Sequence, residues 1–201
     1  MATSIMAGSI IRRGRNSGLR KPAESGVSLL EVVISMAILT VGMVSMLGVF
    51  GLAMAATQTS QQDIIAKQLA NESYESIITA RNTTQITWAD LRNVSNGGIF
   101  IDGAQPIYNA GADGIYGTAD DAVAGEQTLQ DPGADGIYQT ADDILIPLTG
   151  YQRTILISPV LDASGNVVTT LRAVTITVTY STPQVRTGKT YVLNSFVSQY
   201  Q

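Results

Sequence analysis

The 201-residue sequence contains no cysteine and no histidine. The first absence excludes disulfides, thiol chemistry and cysteine-ligated zinc. The second removes the commonest general base and the commonest transition-metal ligand, and with them any serine–histidine–aspartate arrangement. Charge is scarce too, at 14 % of residues. Without histidine or cysteine, no nucleophile–base pair or metal triad can be assembled, so the composition points to a protein without catalysis of its own. A hydrolase built on paired aspartates of the middle region is the one enzymatic arrangement left open.

Proline is missing between Val27 and Arg81. One unbroken helix there would hold about 55 residues and run roughly 80 Å at 1.5 Å per residue. Its first part, residues 27–56, carries a single charge, Glu31. A hydrocarbon core of ~30 Å takes about twenty helical residues, so this block is long enough to span a bilayer. A plain signal anchor fits the same block. So does a secretory signal cut at Ala53-Met54-Ala55, although the apolar run is about twice the usual roughly 7–15 residues. From residue 57 to 82 the sequence turns polar but keeps a helical rhythm. Ala66, Leu69, Ala70, Ser73, Ile77 and Ala80 line one face of it.

Charge is distributed unevenly. Residues 1–26 carry Arg12, Arg13, Arg15, Arg20 and Lys21 against Glu24, whereas from Val27 onward seven basic residues face fifteen acidic ones. A basic tail ahead of an apolar block orients a membrane segment with the tail in the cytoplasm. The acidic remainder argues against nucleic acid as a partner.

Residues 83–148 read as an irregular acidic insert, with nine acidic and no basic residues from Asp102 to Asp143. Within it, residues 111–121 and 133–143 match at all but one of eleven positions, with a spacing of 22. Set on a twelve-residue calcium loop, Asn109, Asp113, Ile115 and Asp120 take positions 1, 5, 7 and 12 in the first copy. Asp131, Asp135, Ile137 and Asp142 take them in the second, and a glycine fills the sharp bend of each. Position 3 lacks a carboxylate in both copies. Calcium is therefore one reading, and a pair of Asx-type turns with Ile-Tyr packed down is the other.

Residues 149–201 read as β. Val174, Ile176, Val178 and Tyr180 alternate with threonines and Ala173, while Tyr151–Val160 and Thr190–Val197 form shorter runs. Turn residues lie at 162–166 and 183–188. The expected fold is α+β. A long N-terminal helix, half transmembrane and half amphipathic, packs against a small C-terminal antiparallel meander of three or four strands.

Residues 26–34 read GVSLLEVVI, directly after the basic leader. This resembles the type IV prepilins, in which a basic leader ends in glycine and a glutamate stands fifth after the cut. The resemblance implies cleavage between Gly26 and Val27 by a prepilin peptidase, N-methylation of Val27, and pairing of Glu31 with the Val27 ammonium of a neighbouring subunit. It further implies a single-pass inner-membrane protein whose partners are other pilin subunits, destined for an extracellular pilus or a periplasmic pseudopilus. The SLLEV start, Gly42, Gly48 and the AKQLANESYESI segment are most similar to the PilV-like minor pilins. The I-type minor pseudopilins of type II secretion share these features but are usually shorter. A membrane-tethered binding protein is the remaining alternative.

Overall fold

A computed structural model describes residues 26–181 and 188–200. The leader before Gly26 and most of the predicted 183–188 turn lie outside the described residues. The architecture is α+β, a long N-terminal helix followed by an antiparallel sheet. By internal contacts the chain divides into two units, Met1–Gly48 and Val49–Gln201.

Helix α1 runs over Leu29–Asn82. Ser28 opens it: its hydroxyl accepts the Leu30 N–H at 3.2 Å and its carbonyl accepts the Val32 N–H at 3.2 Å. Its apolar part is long and apolar enough to cross a membrane, and none of that window is buried within the fold. Threonine and serine within this part fold their hydroxyls back onto the helix, Thr40 to the Ala37 carbonyl and Ser45 to the Val41 carbonyl. That satisfies polar groups which lipid cannot.

The second unit is built on the amphipathic part of α1. All six residues of the predicted face, Ala66, Leu69, Ala70, Ser73, Ile77 and Ala80, are buried. Alanine and serine keep that face low, so the sheet can approach closely. Ser73 closes its hydroxyl onto the Leu69 carbonyl at 2.8 Å, which leaves no loose polar group in the core.

Over this face lies the four-stranded antiparallel sheet β1-β4-β5-β6. Strand β4 is Tyr151–Leu161, β5 is Val167–Tyr180 and β6 is Lys189–Ser198. Val174, Ile176 and Val178 are completely buried, as their alternation with threonine requires. The β4–β5 turn is made by Asp162, whose carboxylate accepts the N–H groups of Ser164 and Asn166. The fourth strand, β1 at Gln105–Pro106, comes from the insert and pairs with Gln152 and Arg153.

The insert is not irregular throughout. Val94–Asn96 form a 3-10 turn, and Asp121–Ala124 form the short helix α2. Strands β2 (Thr128–Asp131) and β3 (Ile144–Pro147) pair as a separate two-stranded ribbon. Their short, mixed sequences carry no clean two-residue alternation, which hid them from a pattern-based reading. The insert is pinned by buried Leu91, Phe100, Ile107, Ile115 and Leu148. Asn93 adds a polar pin. Its amide donates to the Ile155 carbonyl at 2.8 Å and accepts the Ile157 N–H at 2.7 Å, covering the edge of β4 beyond β1.

Candidate processing and assembly site

Gly26 and Val27 precede α1 and are exposed, Val27 at 69 %. Among the described residues nothing lies within 4 Å of a side chain placed at Gly26. Glu31 stands in the first turn of α1. A carboxylate there sits at the positive end of the helix dipole. Ser28-Leu29-Leu30-Glu31 also has the spacing of a capping box, a signal that was readable in the sequence beside the prepilin pattern. Among the described residues no group of this chain bonds the Glu31 carboxylate.

The exposed apolar residues around it are continuous, from Leu29 and Leu30 to Leu52 and Met54. A helix that is apolar on all sides and covered on none needs lipid or neighbouring helices. One carboxylate on such a surface is costly in hydrocarbon and calls for a partner.

The acidic repeat folds twice into the same turn, held by its own carboxylates. In the first copy Asp113 accepts the Ile115 N–H at 2.8 Å. Asp120 accepts the Asp113 N–H at 3.2 Å and the Thr118 hydroxyl at 2.6 Å. In the second copy Asp135 accepts the Ile137 N–H at 2.8 Å. Asp142 accepts the Asp135 N–H at 3.2 Å and the Thr140 hydroxyl at 2.7 Å. The threonine hydroxyl and the backbone donors hold Asp120 and Asp142 below the ordinary carboxylate range.

The residues at positions 1 and 7 of the calcium reading carry hydrogen bonds, outside the turn for Asn109 and inside their own turns for the rest. Asn109 donates its amide to the Gly125 and Glu126 carbonyls, at 3.4 and 3.3 Å. Asp131 accepts the Gly133 N–H at 3.1 Å. The carbonyls of Ile115 and Ile137 each accept a threonine hydroxyl at 3.1 Å. Among the described residues the carboxylates that converge are Asp113, Asp120 and Asp121, with one oxygen of each within 4.8 Å of the others.

Asp121 is the member with the most buried setting. It accepts the Gly111 N–H at 3.1 Å and the Gly117 N–H at 2.6 Å. Burial raises its carboxyl above the usual range, against the pull of those two donors and of the Arg153 charge. Burial likewise pushes the Arg153 guanidinium down.

The two copies differ at one position for a visible reason. Gly117 has φ +88°, and a side chain there would meet the Ile155 methyl at 2.5 Å. Its counterpart Gln139 adopts φ +68° without such a neighbour, because its copy sits in solvent. The first copy buries Ile115 to 1 % exposure, whereas Ile137 and Tyr138 of the second are both 61 % exposed. The expected packing of Ile-Tyr thus holds for Ile115, with half-buried Tyr116 beside it, and fails for the second copy.

Residues 21–47 match the family model described as the prokaryotic N-terminal methylation motif. No curated protein and no solved structure matches the chain. The matched segment holds Gly26, Val27 and Glu31 and reaches into the exposed apolar helix. The chain carries the N-terminal methylation motif of the type IV prepilin-like family.

Proposed function

We propose that the chain is a structural, non-enzymatic subunit of a type IV pilus, of the PilV-like minor kind. It enters the inner membrane as a prepilin. Prepilin peptidase then cuts after Gly26 and methylates the Val27 amino group. The observation that carries this reading is Glu31: a carboxylate without a partner among the described residues, four positions after Val27, on an apolar surface that no described residue covers. In a bundle of such helices each Glu31 meets the Val27 ammonium of a neighbour, which sets axial register. Buried ion pairs are better suited to fixing register than to adding net stability.

The acidic repeat favours the pilus over an I-type pseudopilus, because a shaft buried in the periplasm gains nothing from an exposed acidic ribbon. The repeat itself is proposed to be a pair of self-locked turns rather than a resident calcium site. A cation at Asp113, Asp120 and Asp121 would compete with the backbone and threonine donors already on those oxygens. Fractionation tests the destination. The mature chain is expected in filaments sheared from the cell surface; confinement to the cell envelope would assign it to a pseudopilus or to a tethered role.

A further inference from the structure

We propose that the acidic turn 131–143 of one subunit docks into a groove around Arg92 and Arg172 of a second copy of this chain, making a head-to-tail contact. This rests on the filament reading.

The groove is a cavity of about 590 Å³, a size at which protein pockets take ligands of tens of atoms. Trp88 and Arg172 form one wall, and Ile157, Pro159, Val168 and Leu171 supply an apolar floor. The Arg172 guanidinium lies 4.3 Å from the centre of the Trp88 ring. One of its nitrogens donates to the carbonyls of Trp88 and Leu91, and that fixes the plane. Arg92, exposed, lines the same groove, and its charge acts on the Arg172 guanidinium. Among the described residues no carboxylate pairs with either. Exposed Arg92, backed by the buried charge of Arg172, gives this end of an otherwise acidic domain a positive spot that attracts an anion.

The occupant follows from the chain's own duplication. The first copy already shows how a Gly-Ile-Tyr turn seats: Ile115 enters the core beside Ile155, and the Arg153 guanidinium lies 4.6 Å above the Tyr116 ring. The second copy offers the same tripeptide to solvent, ringed by Asp131, Asp135, Asp142 and Asp143. It is carried on a two-stranded ribbon whose Ile144, Leu145 and Ile146 are exposed as well. A ribbon of that kind is marginal on its own, and an apolar patch rimmed by charge marks an interaction surface. Groove and turn thus offer complementary chemistry: exposed Arg92 for the tyrosine and the acidic rim, and an apolar lining for the isoleucine.

The two surfaces are also set apart within the second unit. The turn lies beside Gln61 and Ile64 of α1, while the groove lies past the end of that helix at Trp88. The eighteen residues from Ile64 to Asn82 put roughly 27 Å between them along the helix. A contact joining unlike, separated patches is heterologous, and where its rotation does not close it propagates into a string.

The absence of cysteine makes this directly testable in the full-length protein. Ala134→Cys, an exposed position in the acidic turn, and Thr169→Cys variants, differently tagged, are co-expressed in membranes and treated with a short bis-maleimide. Thr169 lines the groove. Val192→Cys, at an exposed site on β6 opposite Thr177 and outside the groove lining, is the control. The mixed 134–169 adduct is expected to exceed the 134–192 adduct at least about tenfold, and Arg92→Glu in the groove-bearing copy is expected to reduce it by a similar factor. Equal yields at residues 169 and 192, or a yield untouched by Arg92→Glu, would overturn the contact. A 134–169 adduct in a chain still uncut at Gly26 would uphold the contact while removing the pilus reading.

Discussion

Glu31→Ala is expected to leave the chain in the membrane and to lower its recovery in sheared filaments at least about tenfold. Membrane insertion should survive because the variant removes the one charge from an already sufficient apolar helix. Assembly should fail because each Val27 ammonium would lose its counter-ion inside the bundle. Stripping one partner from a buried pair costs about 3–5 kcal/mol, and about 1.4 kcal/mol is already tenfold in an equilibrium. Glu31→Gln separates charge from shape. Glutamine can still serve the capping position three residues after Ser28. If charge is what matters, Gln fails as Ala does. If Gln assembles normally, Glu31 acts as a helix cap and not as a register device.

The second large effect concerns the duplicated turn. Ile115→Ala is expected to destabilise the fold by about 2–5 kcal/mol, the usual cost of emptying a buried isoleucine site. Ile137→Ala, the same change at the same place in the repeat, is expected to stay within about 0.5 kcal/mol, as exposed sites do. For a chain of this length that separates the melting temperatures by about 2–4 °C per kcal/mol. Thermal melts of the full chain in detergent decide it. Equal shifts would mean that both turns are buried or that neither is. The same melts run in calcium, in magnesium and in chelator are expected to coincide, because protein donors already occupy the turn carboxylates. A rise specific to calcium would place a cation there.

The fold was largely legible where one kind of pattern persists over a long stretch. The buried face of α1 and the alternation of β5 could be read residue by residue, since helix and strand periods differ and both segments are long. The prepilin start was legible because Gly26, the apolar run and Glu31 combine in nine residues. The insert was harder. β2 and β3 have four residues each and pair only with one another across the twelve-residue acidic turn, too short a stretch for a period to show. The two repeats could not be told apart as core and surface by sequence, because Ile-Tyr reads identically in both. The single clue was Gly117 against Gln139. A glycine stands where Ile155 would meet a side chain, and a glutamine stands where the turn is exposed. Arg92 and Arg172 gave no signal either, being eighty residues apart and brought together only by the return of the β4–β5 hairpin toward the end of α1.

The central claim is processing at Gly26, and the intact mass of the membrane-extracted chain tests it most directly. The account predicts a chain that begins at Val27 and carries one added methyl group at its amino terminus. A chain that still holds residues before Gly26, or one that begins after Ala55, would contradict it.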